Sequence, residues 1–116
     1  MQTLETIYTF RTRNFCVKVE ALPEYDPDLS FDESGETAEM IERGDWLCFS
    51  VRASLSFRDS DIAEDYLGNC IYENFRDFRD NIGSKRGGYG SYFAGMVRQV
   101  IEEGREHLQS IPTLRR

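Results

Sequence analysis

A chain of 116 residues and 13.5 kDa has room for about one domain, and 40% hydrophobic with 13% aromatic residues excludes global disorder. Uncharged apolar runs such as 46–51 fall far short of the roughly 20 residues that cross a bilayer, and no basic stretch followed by an apolar run opens the chain, so neither a membrane span nor a secretion signal is expected. The net charge of −7 is concentrated: residues 20–45 hold ten acids against Arg43 alone, while the rest of the chain is close to neutral, which argues against nonspecific binding of that segment to nucleic acid.

Residues 4–13 and 15–22 read as two strands joined at Arg13-Asn14. Tyr8, Phe10 and Thr12 form one face of the first, and Phe15, Val17, Val19 and Ala21 one face of the second. Asn14 is expected to supply the positive φ of the tight turn. Pro23 and Pro27 stop the ladder, and an acidic insertion at about 23–45 follows, as a loop carrying a short helix over 36–43 that Gly44 closes in the left-handed conformation. Residues 46–57 have the clearest period of two in the chain. Leu47, Phe49, Val51, Ala53, Leu55 and Phe57 alternate there with Trp46, Cys48, Ser50, Arg52, Ser54 and Ser56, the pattern of a strand with one apolar face.

A polar turn at 58–61 leads into 62–72, which reads equally as a strand or a short irregular helix. Asn74 is placed to cap a short helix over 75–80, with Phe75 and Phe78 on one side. A glycine-rich loop spans 83–90, and Ser91 precedes the strongest helix, 92–109, with Phe93, Met96, Val97, Val100, Ile101, Gly104 and Leu108 on one stripe. Gly104 on that stripe implies close approach of a neighbouring backbone. The expected architecture is a single α+β domain: a three- to four-stranded, mostly antiparallel sheet covered on one face by the long C-terminal amphipathic helix, with one or two short helices.

Motifs for chemistry are scarce. Cys16, Cys48 and Cys70 are widely spaced and His107 is the one histidine, so neither a zinc site nor a disulfide framework is expected, and free thiols fit a reducing cytoplasm. Asp26-Pro-Asp28-Leu-Ser30-Phe31-Asp32 begins like a calcium loop, yet the positions that demand Gly and Glu hold Phe31 and Thr37. Gly83 and Gly88 have the spacing of a phosphate-binding loop, but Tyr89 and Gly90 replace its Lys and Ser/Thr. No metal, cofactor or catalytic group is therefore expected, and the chain reads as a non-enzyme.

Two binding surfaces remain. The first is the acidic segment, in which Glu24, Asp26, Asp28, Asp32, Glu33 and Glu36 surround Tyr25 and Phe31, a composition that suits a basic protein surface. The alternative is an anion or nucleic-acid site at Lys85, Arg86, Tyr89 and Tyr92, where the loop enters a helix N-terminus.

The stretches Leu67-Gly-Asn-Cys-Ile-Tyr72, 75–80, Tyr89-Gly-Ser-Tyr-Phe93, Met96-Val97-Arg98 and 101–105, with Thr9-Phe-Arg-Thr-Arg13 and Phe15-Cys-Val-Lys-Val19, cover most of the chain. In them it resembles a group of small proteins, without an established activity, encoded by bacterial phages, plasmids and integrative elements. The resemblance carries over no catalytic residue. It implies a mobile-element accessory protein, a class that often binds and inhibits host defence machinery, as anti-CRISPR proteins do.

Overall fold

The computed structural model of the chain describes residues 2–80 and 92–110. Strands β1 (Glu5–Arg11), β2 (Phe15–Pro23), β3 (Leu47–Phe57) and β4 (Ser60–Tyr72) lie side by side in sequence order, each antiparallel to the next. Helices α1 (Glu36–Glu42), α2 (Phe75–Asp80) and α3 (Tyr92–Gln109) complete the α+β fold, and α3 packs on β3 and β4. Residues 62–72 are thus strand. The hairpin with β3 fixes their identity, because Leu55↔Ala63, Ala53↔Asp65 and Val51↔Leu67 extend the ladder at the expense of bulges beside Ile62 and Gly68.

The first hairpin turns at Arg13-Asn14, but Asn14 does not adopt positive φ. The turn is held instead by Thr12, whose N–H donates to the Phe15 carbonyl at 2.8 Å and whose hydroxyl accepts the Phe15 N–H at 3.2 Å. Positive φ appears in the second hairpin, at Arg58 (50°) and Asp59 (67°), as a two-residue primed turn requires. Helix α1 ends as its sequence implies. Gly44 stands at φ 83°, its N–H reaches the Ile41 carbonyl, and the Asp45 N–H reaches that of Met40, a Schellman closure. For α2, the Asn74 side chain caps the N–H of Asp77 at 2.9 Å.

The core lies between the sheet and α3. Val19, Ala21, Phe49, Val51 and Ala53 meet Met96 and Val100 there, and Phe78 of α2 closes one end in edge-on contact with Phe49, Tyr72 and Phe93. Each large side chain buried in this way contributes about 1.5–3 kcal/mol. Gly104 is buried on the same helix face, but what approaches it is a side chain and not a backbone: a Cβ at this position would collide with Leu55 Cδ2 and crowd Ile62 Cδ1. Among the described residues, no helix is long and apolar enough to cross a membrane.

Candidate functional site

Among the described residues, no helix lies over the middle of the opposite face of the sheet, and the acidic segment lies across one end of it. Leu22 and Ile71 point to that face by register, and both are buried, at the end of the sheet where Glu24 and Asp28 bond back to Ser50 and Asn69. Asn69 is the anchor. It sits at φ 56° beside the β4 bulge, 7% exposed, where few residues other than Asn tolerate the backbone. Its side-chain amide donates to the Asp28 carbonyl at 2.8 Å and its Oδ1 accepts the Asp28 N–H at 3.1 Å, while its own N–H donates to Glu24 Oε2 at 2.9 Å.

Glu24 is therefore part of the clamp and not of a free acidic surface. Its carboxylate also accepts the Ser50 hydroxyl at 2.9 Å and the Asp26 N–H at 3.3 Å. Partial burial pushes this carboxyl up, but the three hydrogen bonds together outweigh it and hold the group below its ordinary range. Asp32 likewise serves the fold. It receives the N–H groups of Thr37 and Ala38, capping α1 from outside its first turn, and these bonds, Ala38 foremost, lower its pKa and outweigh the desolvation that raises it. Asp28 Oδ1 accepts the Ser30 N–H, a local turn.

What the clamps leave at the surface is Tyr25, 85% exposed, and Phe31, 40% exposed, with the exposed carboxylates of Asp26, Glu33 and Glu36. The structure so divides the sequence-predicted set. Glu24 and Asp32 hold the segment, Asp28 does so through its backbone, and Tyr25, Asp26, Phe31, Glu33 and Glu36 are presented. Of the alternative anion site, Lys85, Arg86 and Tyr89 lie outside the described residues. Tyr92, 40% exposed, faces a groove beside Asp65.

The uncovered middle of the open face holds a feature that one-strand patterns do not announce. Glu20, counted by charge with the acidic segment, belongs to β2 and faces Arg52 of β3. Arg52 gathers Glu20 Oε1 at 3.6 Å, Asp61 Oδ2 at 2.8 Å and Glu64 Oε1 at 2.6 Å. Its hydrogen bond holds the Glu64 carboxyl low, aided by the Tyr66 hydroxyl, which donates to the other oxygen at 3.0 Å. Glu20, Arg52 and Asp61 of this cluster line a polar cleft of about 210 Å³ together with Arg11, Cys16, Lys18, Ser54 and Ser56. Cys70 lies at the Phe49 end of the sheet, whereas His107 lies beyond Gly104 near Leu55, so the thiol and imidazole are not brought together. Among the described residues no cluster of His, Cys, Asp or Glu is placed to hold a metal ion.

The lowered carboxyls make stability depend on acid. A folded-state pKa below the unfolded value contributes stability that is present above the unfolded value, about 4.3 for Glu, and is lost as pH falls through the folded value. Melting temperature is expected to fall as pH is lowered from about 5 to about 3, and Glu24→Gln, which removes one of the contributing groups, is expected to lower the neutral-pH melt and flatten this decline. Circular dichroism melts across that range check it; parallel curves for the two proteins would contradict the assignment.

No family model, curated protein or solved structure matches the chain.

Proposed function

We propose that the chain is a non-enzymatic protein-binding module whose acidic segment docks on a basic protein surface, of the kind that otherwise receives nucleic acid. The observation that carries this reading is Tyr25. A large aromatic side chain stands 85% exposed between two anchored residues, Glu24 and Asp28, on a segment tied to the sheet. A segment serving solubility alone needs charge but no clamp. A fixed loop presenting Tyr and Phe among carboxylates loses little conformational entropy on binding, and it offers both the aromatic area and the steering charge that such interfaces use. The resemblance to proteins of phages and plasmids supports a host defence complex as the target, with the module acting as its inhibitor in the cytoplasm.

The test is a triple charge reversal confined to presented carboxylates: Asp26→Lys, Glu33→Lys and Glu36→Lys. Asp28 and Asp32 are left intact because they make internal hydrogen bonds. Each exposed substitution should alter stability by less than about 0.5 kcal/mol. Affinity capture from host lysate is expected to retain a basic, nucleic-acid-binding protein on the wild type and to lose it on the variant, with added nucleic acid competing for it. Equal retention by the variant would overturn the reading.

A further inference from the structure

The outer edge of β4 forms a second surface, distinct from the acidic segment. The direction of its backbone groups follows from the ladder. The Ala21 carbonyl accepts the Leu4 N–H, so odd-numbered residues of β2 bond towards β1 and even-numbered ones towards β3. Arg52 and Ser54 then bond towards β2, and Val51, Ala53 and Leu55 towards Leu67, Asp65 and Ala63 of β4. That leaves the N–H and C=O groups of Glu64 and Tyr66 directed away from the sheet, where no described strand pairs with them.

Natural edge strands are guarded by proline, lysine, bulges or a covering element. Between the bulges beside Ile62 and Gly68, β4 has no proline and no cation, and its charged residues there are Glu64 and Asp65. Arg52 of β3 pairs with Glu64 and with Asp61 before the first bulge, but one guanidinium against Glu20, Asp61 and Glu64, with Asp65 beyond, leaves this margin of the sheet acidic. Alongside runs a groove of about 390 Å³ between β4 and α3, floored by Leu67 and Met96 and bordered by Asp65 and Tyr92. Gly95 opens it. Glycine weakens a helix, and at Gly104 the crowding by Leu55 explains its presence; a Cβ at Gly95 would meet no described atom within 4 Å. Tyr66, 52% exposed, also borders the groove, while its hydroxyl reaches Glu64 on the open face.

We propose that this edge, over residues 61–67, binds an extended basic segment of a partner protein as an added strand, with an apolar side chain of that segment entering the groove at Gly95. Charge decides the occupant. Pairing with a second copy would set carboxylates of one β4 against those of the other, and nucleic acid would meet the same repulsion, whereas alternating Lys and apolar residues complement both the acids and the groove.

The probe is a blocked, fluorescently labelled peptide of alternating Lys and Val, with an alternating Glu and Val peptide as control, followed by anisotropy and by amide hydrogen exchange. The wild type is expected to bind the Lys peptide and not the Glu peptide, and the amides of Glu64 and Tyr66 are expected to become protected on binding. Gly95→Leu fills the groove while favouring the helix, so it should weaken binding at least tenfold without lowering the melting temperature. Tyr66→Pro removes an outward donor and should weaken binding as well. Undiminished binding to Gly95→Leu would overturn the proposal, as would protection of Glu64 and Tyr66 before peptide is added, or protection that rises with protein concentration alone and so reports a second copy. The triple reversal at Asp26, Glu33 and Glu36 lies on the other surface, so failure of either site leaves the other testable.

Discussion

Val100→Asp is expected to abolish cooperative folding near neutral pH. Val100 is 0% exposed at the centre of the α3 stripe, in one cluster with Phe49, Val51, Ala53 and Met96, and the described core offers a carboxylate no cationic partner there. An isolated ionised carboxylate in such a place costs far more than a neutral polar group, so the group either protonates or unfolds its surroundings. Adding the lost packing of the valine, the penalty reaches about 4–5 kcal/mol or more, against a total stability of about 5–15 kcal/mol for a native domain. Thermal denaturation followed by near-ultraviolet circular dichroism checks it. A wild-type melt for the variant would mean that this stripe does not face the sheet.

Asn69→Ala is expected to cost about 2–4 kcal/mol and to free the acidic segment while leaving the sheet and α3 folded. Two causes add. Alanine at φ 56° carries strain that asparagine tolerates better, and removing the side-chain amide takes away the two hydrogen bonds it makes to the N–H and carbonyl of Asp28. The Asn69 N–H remains, so Glu24 keeps one hold on the backbone and the segment loosens from Asp28 outward. Chemical denaturation gives the magnitude. Capture of the basic partner gives the consequence, since a loosened loop must be ordered again on binding and affinity falls. Little change in either would assign the clamp no role.

Much of this fold was legible in the chain because local pattern and tertiary environment agree. The period of two over 46–57 is the apolar face of β3, the 3-and-4 spacing after Tyr92 is the face of α3, and Gly44 and Asn74 close and open helices where they stand. Residues 62–72 were ambiguous because β4 is bulged twice, and each bulge shifts the alternation by one residue. Asn14 looked like the residue with positive φ, but Thr12 supplies the turn's hydrogen bonds from the strand end, a contact that dipeptide preference does not encode. The candidate site was legible only in its composition. Glu24 and Asp32 resemble Asp26 and Glu33 in sequence, and what separates them is Asn69, forty-five residues from Glu24, together with the N–H groups of Thr37 and Ala38. The Arg52 cluster was hidden for the same reason, since only the register of three strands brings Glu20, Asp61 and Glu64 to one guanidinium.

The central claim is that the acidic segment is a preformed surface held on the sheet and not a free, solvated arm. Native-state hydrogen exchange tests it without any partner, because the amides that the clamps engage are specific ones: Asp28 to Asn69, Asn69 to Glu24, and Thr37 and Ala38 to Asp32. In the wild type these four are expected to exchange far more slowly than the unstructured limit, with Asp28 losing its protection in Asn69→Ala while amides of β3 keep theirs. Exchange of Asp28, Thr37 and Ala38 at the unstructured rate in the wild type, beside a protected β3, would contradict it.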